Sequence, residues 1–172
     1  MMNKKDFSIV CIGAGNVATH LAQALQQKGF HLSQIYSRTQ ESAQALAQTL
    51  GCAWTTCLEQ VDEHADLYIV SVKDAVLETV ISQLVHCNPD ALYLHTAGSM
   101  PMEVWKEKFK NYGVAYPMQT FSKQREVNFE EVPFFLEANS PENLSLLQEI
   151  TGSLSPKVYE ASSEQRKYLH IA

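Results

Sequence analysis

A glycine-rich hexapeptide near the amino terminus has the residue types that bind phosphate groups. Residues 13–18 read Gly-Ala-Gly-Asn-Val-Ala and fit the pattern G-x-G-x-x-G/A. In that pattern Gly13 permits a tight turn, Gly15 lets a pyrophosphate approach the backbone, and Ala18 lets a helix pack closely on a strand. The unpaired N–H groups and the positive end of the helix dipole then face the phosphates. The motif predicts a dinucleotide site made by five residues: Gly13, Ala14, Gly15, Asn16 and Val17.

The flanking residues bear on whether this motif binds a ligand or only makes a turn. Residues 7–12 form a short apolar run, which indicates a buried parallel strand. From Val17 the apolar residues recur at helical spacing as far as Gly29, a residue typical of a helix C-terminus. Strand, glycine turn and helix in this order favour dinucleotide binding over a turn without a ligand.

The end of the second predicted strand bears on which dinucleotide binds. An Asp or Glu about 20 residues after the glycine motif commonly binds the ribose hydroxyls of NAD. This chain has Ser37-Arg38-Thr39 at that place instead. Arg38 could pair with a 2′-phosphate and stack on adenine, and Ser37 and Thr39 could donate hydrogen bonds to the phosphate. The sequence therefore favours NADP, and a solvated arginine at a polar strand end is the alternative.

Polar residues that follow two later strands could take part in a reaction beside the cofactor. Lys73 could neutralise charge or orient a carbonyl, while Val72 would line the cofactor. His95 could give or take a proton near neutral pH, and Ser99 could hold a carbonyl oxygen. The alternatives are a solvated lysine and a histidine whose ring ties down its own loop. His95, Ser99 and Lys73 are the predicted catalytic residues.

A third loop supplies the predicted substrate contacts. Gln119 and Thr120 follow Pro117 and could hydrogen-bond a substrate amide or carboxylate. The alternative is a loop that uses these side chains to satisfy its own backbone.

The composition describes an acidic chain of 172 residues with a net charge of -6 and a pI of about 5.5. No basic block is interleaved with aromatic residues, which argues against nucleic acid as a partner. No apolar run approaches the length of a membrane span, and the short run after Lys5 enters Gly13 directly, unlike a signal peptide. Because the cysteines lack the spacing of a zinc site, we expect no metal. Because the sequence shows no secretion signal, a disulfide is disfavoured, and we expect a reduced, cytoplasmic protein.

The order of the predicted elements indicates the fold class. Five short strands are predicted, over residues 7–12, 32–36, 52–54, 67–72 and 91–95. Four helical or turn segments separate them, over residues 17–28, 41–50, 58–64 and 75–85, the last with Asp74 as its predicted N-cap. This alternation is typical of an α/β protein with a Rossmann-like, doubly wound and mostly parallel sheet that carries helices on both faces.

The second half of the chain follows a less regular order. A helix is predicted over residues 102–112, with short strands over residues 114–116, 132–136 and 157–160. Ser140-Pro141 opens a helix through about residue 151, and Ser162-Ser163-Glu164 opens another. Because this last pattern stays amphipathic to Ala172, we predict a dinucleotide-binding domain over residues 1–161. Residues 162–172 would then begin a C-terminal helical domain that is otherwise missing.

Several motifs taken together resemble known families. Residues 13–18, 37–39 and 71–74 are similar to the amino-terminal domains of pyrroline-carboxylate reductase and phosphogluconate dehydrogenase relatives. Residues 95–99 (His-Thr-Ala-Gly-Ser) and 116–122 (Tyr-Pro-Met-Gln-Thr-Phe-Ser) are more specific. They resemble a family of candidate NADP oxidoreductases that combine a Rossmann-like domain with a C-terminal helical domain of unknown function.

The resemblance implies partners as well as a fold. It implies NADP as the cofactor, a small-molecule substrate, and a homodimer when the helical domain is present to complete the substrate site. Related dehydrogenases carry functional residues on the helix that corresponds to the last predicted one. Lys167 and His170 are therefore further candidates.

The predicted function is an NADP-dependent oxidoreductase that transfers hydride between nicotinamide and a small carbonyl, imine or hydroxy acid. A non-catalytic dinucleotide-binding or sensing module is the alternative. A methyltransferase is a weaker one, because Arg38 suits a 2′-phosphate that adenosylmethionine lacks. This chain alone is expected to bind cofactor and to turn over little substrate, because its strand ends would leave the substrate open to water.

Overall fold

The structure, a computed structural model, describes residues 2–171. Eight strands are present: β1 (Ser8–Ile12), β2 (His31–Tyr36), β3 (Ala53–Thr55), β4 (Leu67–Val70), β5 (Leu92–His95), β6 (Asn111–Pro117), β7 (Phe134–Ala138) and β8 (Val158–Glu160). Five helices accompany them: α1 (Asn16–Gln27), α2 (Gln40–Leu50), α3 (Asp74–Ser82), α4 (Pro141–Gly152) and α5 (Ser163–Ile171). None of these helices is long and apolar enough to cross a membrane, within the residues described.

All eight strands join in one sheet with the order β3-β2-β1-β4-β5-β6-β7-β8. Strands β1 to β6 pair in parallel, β7 runs antiparallel to β6, and β8 is parallel to β7. The chain therefore places the carboxyl ends of its first six strands along one edge of the sheet. The predicted Rossmann-like, mostly parallel fold is confirmed.

Helices cover both faces of the sheet because the central strands are apolar on both sides. In β1, Ile9 and Cys11 pack in one core with α1, α2 and α4, whereas Val10 and Ile12 pack in a second core with α3. Strands β4 and β5 divide their side chains between the two cores in the same way. This double burial explains why these strands read as continuous apolar runs and not as alternating patterns.

An aromatic cluster fills the second core beneath β5. The rings of Tyr68 and Tyr93 stack with centroids 4.8 Å apart, and Phe109 packs 4.0 Å from Tyr93. Trp105 is fully buried, and its indole Nε1 donates to the Gly113 carbonyl at 3.1 Å. The cluster holds the end of β5 and the loop that follows it against the sheet.

Two local predictions are wrong. The helix predicted over residues 102–112 is a short 3₁₀ turn, Met102–Trp105, and β6 already begins at Asn111. Glu107 has a left-handed φ of 68°, which breaks the helical path. Asp74 is the first helical residue of α3 and not its cap, and its carboxylate accepts a hydrogen bond from Ser99 instead.

The helix starts at Ser140 and Ser162 match their predictions. Ser140 Oγ accepts from the Asn143 N–H at 3.1 Å, and Ser162 Oγ accepts from the Gln165 N–H at 3.2 Å. Gln165 Oε1 accepts in return from the Ser162 N–H at 2.9 Å, which completes a reciprocal capping pair. The division of the chain at residue 161 stays a prediction.

Candidate functional site

Five loops meet at the carboxyl edge of the parallel strands. They follow β1, β2, β4, β5 and β6, and the predicted catalytic, cofactor-binding and substrate-binding residues lie in these loops or at the ends of the adjoining elements. The further candidates Lys167 and His170 lie on α5. A hydrogen bond of 2.8 Å between Ser71 Oγ and Thr96 Oγ1 links two of these loops. The carboxyl edge is where open α/β sheets bind ligands.

Gly13 makes the turn out of β1 in a way that no other residue type can. Its φ is +122°, and its N–H donates to the Tyr36 carbonyl at 2.8 Å. A Cβ at this position would lie 2.2 Å from the carbonyl oxygen of Ser71. The missing side chain of Gly13 therefore lets the backbones at the ends of β1, β2 and β4 approach one another closely.

Gly15 leaves the beginning of α1 open. It is the N-cap with an ordinary φ of -79°, and a Cβ there would meet no atom within 4 Å. No side chain caps α1 and no acidic residue lies in its first turn, whereas Thr39 caps α2 and Ser140 caps α4. The free N–H groups at the start of α1 can thus donate hydrogen bonds to an external anion.

The segment after β2 carries an exposed, positively charged side chain. Ser37 is nearly buried, and Thr39 Oγ1 accepts from the Ser42 N–H at 3.4 Å. The Arg38 side chain is exposed, and within residues 2–171 it forms no ion pair. The arginine can therefore reach a ligand beside the end of β2.

One of the polar side chains that follow β4 already has a hydrogen-bond partner in a neighbouring loop. Val72 is half-buried, and the exposed Lys73 is the N-cap residue of α3 without a side-chain cap bond. Ser99, from the loop after β5, donates to the Asp74 carboxylate. Lys73 is thus free to meet a ligand, whereas the Ser99 hydroxyl already has a partner.

His95 is enclosed at the end of β5. Its Nε2 donates to the Pro101 carbonyl at 3.1 Å, and its Nδ1 accepts from the Ala97 N–H at 3.1 Å. The side chain is 0% exposed, and burial lowers its pKa from the ordinary 6.5 to about 4, against the opposing effect of the Pro101 hydrogen bond. The ring is therefore neutral at pH 7 and holds the loop over residues 96–101 in place.

The depressed pKa of His95 predicts a loss of stability in acid. Between pH 6.5 and about pH 4 the unfolded chain binds a proton that the folded chain does not, so the stability present above pH 6.5 falls as the pH drops. The full loss is about 3 kcal/mol. Urea unfolding at neutral pH and near the folded pKa measures it. The free energy of unfolding of His95→Gln should fall less on acidification than that of the unmutated protein. An equal fall in both proteins would contradict the low pKa of His95.

The loop after β6 crosses the beginning of α1. Asn16 Nδ2 donates to the Phe121 carbonyl at 3.1 Å, and His20 Nε2 hydrogen-bonds the Ser122 carbonyl. Gln119 and Thr120 are exposed on the same loop. The side chain of Asn16 therefore joins the glycine motif to the segment with the predicted substrate contacts.

A buried ion pair that is absent from the sequence predictions fixes α5 to this edge. Arg166 is 0% exposed, and its guanidinium donates to Glu137 Oε1 at 2.7 Å and to the Met100 carbonyl at 2.8 Å. Ser163 Oγ also donates to Glu137 Oε1, at 2.7 Å, and accepts from the Met102 N–H at 3.1 Å. The sequence feature that could have revealed this pair is Glu137, the only acidic residue in the otherwise apolar strand sequence Phe-Phe-Leu-Glu-Ala.

Tyr116 and His170 meet where α5 passes the end of β6. Tyr116 Oη lies 3.4 Å from His170 Nδ1, and the two rings are 6.0 Å apart at an angle of 71°. A Cβ on Gly98 would come within 2.8 Å of Tyr116 Cζ and 3.0 Å of His170 Cβ. The glycine of the loop after β5 therefore makes room for this pair.

The structure thus brings the predicted catalytic, cofactor-binding and substrate-binding residues to one edge, with different degrees of access. Arg38, Lys73, Gln119 and Thr120 are exposed, whereas His95 is sealed from solvent. The described part of the chain contains no group of three or more His, Cys, Asp or Glu side chains that could hold a metal ion. The roles of the site residues stay predictions.

Solved structures with this fold include named oxidoreductases. A candidate NADP oxidoreductase of Bacteroides fragilis is 53% identical, with a TM-score of 0.95 over 98% of this chain and 66% of that chain. A protein of Thermotoga maritima is 23% identical, with a TM-score of 0.74 over 95% of this chain and 60% of that one. Pyrroline-5-carboxylate reductase of Coxiella burnetii is 19% identical, with a TM-score of 0.75 over 94% and 60%. No curated protein matches the chain.

The chain therefore spans about two thirds of the length of these solved proteins, or less. Residues 8–97, which are 90 of its 172 residues, match the family described as "NADP oxidoreductase coenzyme F420-dependent". The resemblance drawn from the motifs is confirmed for the NADP oxidoreductases, and pyrroline-5-carboxylate reductase shares the fold. By this match and by its identity to the Bacteroides protein, the chain belongs to the NADP oxidoreductase family.

Proposed function

We propose that this protein binds NADP and transfers hydride between the nicotinamide and a small carbonyl, imine or hydroxy acid. The observation that carries the proposal is the open beginning of α1 at Gly15, which has neither a cap nor an acid in its first turn. A helix start with these properties favours an anionic ligand. Membership of an oxidoreductase family supports the choice of reaction over methyl transfer.

The residues at the carboxyl edge fit the cofactor. The backbone of residues 13–17 would hold the pyrophosphate against α1, Arg38 would pair with the 2′-phosphate, and Val72 and Lys73 would lie beside the nicotinamide ribose. When bound, the dinucleotide supplies or accepts the hydride. The protein's part is to bind it, to orient the substrate and to exclude water.

The choice of NADP over NAD rests on Arg38. A charge-assisted contact from its guanidinium to the 2′-phosphate contributes about 1.5–3 kcal/mol, which is roughly a tenfold to hundredfold preference for NADPH over NADH. Calorimetric titration with both cofactors measures the preference. Arg38→Ala should narrow it, whereas Arg125→Ala, an exposed arginine near the other end of α1, should leave it unchanged. Equal affinities in the unmutated protein would rule out this basis for selectivity.

The predicted catalytic residues divide into two roles. His95 is proposed as a positioning residue, because both ring nitrogens are hydrogen-bonded inside its own loop. Lys73 and Ser99 are proposed to contact the substrate or the nicotinamide, and Gln119 and Thr120 to bind the substrate's polar groups. His95→Gln would then change kcat through the loop, while Lys73→Ala would change it through a direct contact.

A non-catalytic sensing module is the second candidate. The observation that favours it is the sealed environment of His95, which removes one predicted proton donor from the site. NADPH oxidation by the complete gene product, assayed with pyruvate, cyclohexanone and 1-pyrroline, separates the two functions. Tight NADPH binding without oxidation of NADPH by any of these compounds would favour the sensing module.

We also propose that the protein works in the cytoplasm as a homodimer. The free cysteines Cys11, Cys52, Cys57 and Cys87 support a reducing compartment. Tyr168 and Ile171 on α5 are 72% and 75% exposed, which supports an apolar contact at that helix. Light scattering of the complete gene product tests the dimer, and a monomeric mass would exclude it.

A further inference from the structure

The proposed reduction needs a proton as well as a hydride, and we propose that Tyr116 and His170 supply it. In this inference, which rests on the proposed function, the Tyr116 hydroxyl binds the oxygen or nitrogen of the substrate's double bond. His170 returns a proton to Tyr116 after each turnover. Tyr116 is not among the residues that the sequence predicts, whereas His170 is one of the two further candidates on the last predicted helix, without a stated role.

The position of the pair favours this role. Tyr116 lies at the carboxyl end of β6, beside the end of β5, and is partly exposed. Its Oη is 3.4 Å from His170 Nδ1, and His170 is exposed to solvent on α5. A substrate at the edge of the sheet can therefore reach the hydroxyl, while water can reach the imidazole.

Two of the predicted catalytic residues at this edge, His95 and Ser99, are less suited to proton donation. Both ring nitrogens of His95 are hydrogen-bonded within its loop, and the Ser99 hydroxyl donates to Asp74. Burial raises the pKa of Tyr116 above its ordinary value, so its hydroxyl keeps its proton at neutral pH. A protonated hydroxyl that is hydrogen-bonded to an imidazole is a suitable general acid.

The residues around the pair keep the rings of Tyr116 and His170 next to each other. Arg166 and His170 are four residues apart and therefore lie on the same side of α5. Arg166 is anchored to Glu137 and to the Met100 carbonyl, which fixes that side of the helix against the sheet. Gly98 faces both rings, and its hydrogen atom leaves the space that a Cβ would fill.

The proposed step balances in atoms and electrons. The substrate carbon receives a hydride from the reduced dinucleotide and forms a C–H bond, while the π electron pair of the C=O or C=N bond moves to the oxygen or nitrogen. The O–H bond of Tyr116 breaks, and its proton bonds to that atom. The resulting phenolate takes a proton from His170, and a proton from the solvent replaces it on the imidazole.

Two variants with matched controls test the pair in the complete gene product. Tyr116→Phe removes only the hydroxyl, and Tyr112→Phe makes the same change at the other end of β6. His170→Asn keeps a hydrogen-bonding group near Nδ1 but cannot carry the proton, and His31→Asn is its control at the amino end of β2. NADPH oxidation is measured with pyruvate, cyclohexanone and 1-pyrroline, and NADPH affinity is measured by calorimetry.

We expect Tyr116→Phe to lower kcat by about a hundredfold to ten-thousandfold, the usual contribution of a general acid, with NADPH affinity unchanged. His170→Asn should lower kcat by at least about tenfold, less than the loss of the acid itself. The two controls should match the unmutated protein. The ¹⁵N resonance of His170 Nδ1 gives a readout that does not depend on turnover, and it should shift in Tyr116→Phe but not in Tyr112→Phe.

Two results would overturn the inference while leaving the proposed function intact. One is a kcat in Tyr116→Phe that equals that of Tyr112→Phe, and the other is an unshifted His170 resonance in Tyr116→Phe. Failure of the unmutated protein to oxidise NADPH with any of the three compounds would instead overturn the proposed function, and the inference with it.

Discussion

Gly15→Val is expected to weaken NADPH binding by at least about a hundredfold, or about 2.7 kcal/mol, without unfolding the protein. The branched side chain would occupy the space in front of the first N–H groups of α1, where the pyrophosphate is proposed to lie. The backbone tolerates valine, because Gly15 has a φ of -79° and no atom lies within 4 Å of its Cβ position. The loss therefore comes from the blocked phosphate site and not from strain.

Calorimetry measures the affinity, and circular dichroism checks the fold. Gly152→Val is the matched control, because a Cβ at Gly152 also meets no atom within 4 Å but lies in α4, far along the chain from the glycine motif. It should bind NADPH as the unmutated protein does. A folded Gly15→Val protein with unchanged affinity would show that the cofactor binds elsewhere.

Arg166→Met is expected to destabilise the protein by about 3–5 kcal/mol, because it leaves the charge of Glu137 without its partner in a partly buried site. It also leaves the Met100 carbonyl without its donor. Urea unfolding measures the loss. Arg125→Met changes an exposed arginine and should stay within about 0.5 kcal/mol of the unmutated protein.

A second variant separates the ion pair from general packing at this site. If the unpaired carboxylate causes the loss, the double variant Arg166→Met/Glu137→Gln should be more stable than the sum of the two single changes implies. Simple additivity, or a loss in Arg166→Met no larger than that in Arg125→Met, would mean that the buried pair does not hold α5 in place.

The first half of the fold was predictable because its signals are local. Strands β1, β4 and β5 are short apolar runs, and glycines or capping residues mark where several of the helices begin or end. The helix predicted over residues 102–112 failed because apolar spacing alone does not reveal the left-handed backbone of Glu107. The reversal of β7 also depends on which strands pair, and local sequence does not encode pairing partners.

The candidate site also has a part that local sequence predicts and a part that depends on long-range contacts. The glycine motif is a contiguous segment whose geometry follows from its residue types, so its position could be predicted. The environment of His95 depends on Pro101 and on the aromatic cluster packed beneath it. Arg166 and Glu137 are 29 residues apart, and Tyr116 and His170 are 54 apart. Contacts of this kind exist only once the sheet has formed.

The aromatic cluster beneath β5 also gives this protein an internal fluorescent probe. Of its two tryptophans, Trp54 is 37% exposed on β3, whereas Trp105 is fully buried, with the His95 ring 6.3 Å away. Trp105 should therefore emit at shorter wavelength than Trp54, and its emission should shift to the red when the core opens. Because a protonated imidazole quenches a neighbouring indole, the fluorescence intensity of Trp105 should fall when His95 takes up its proton.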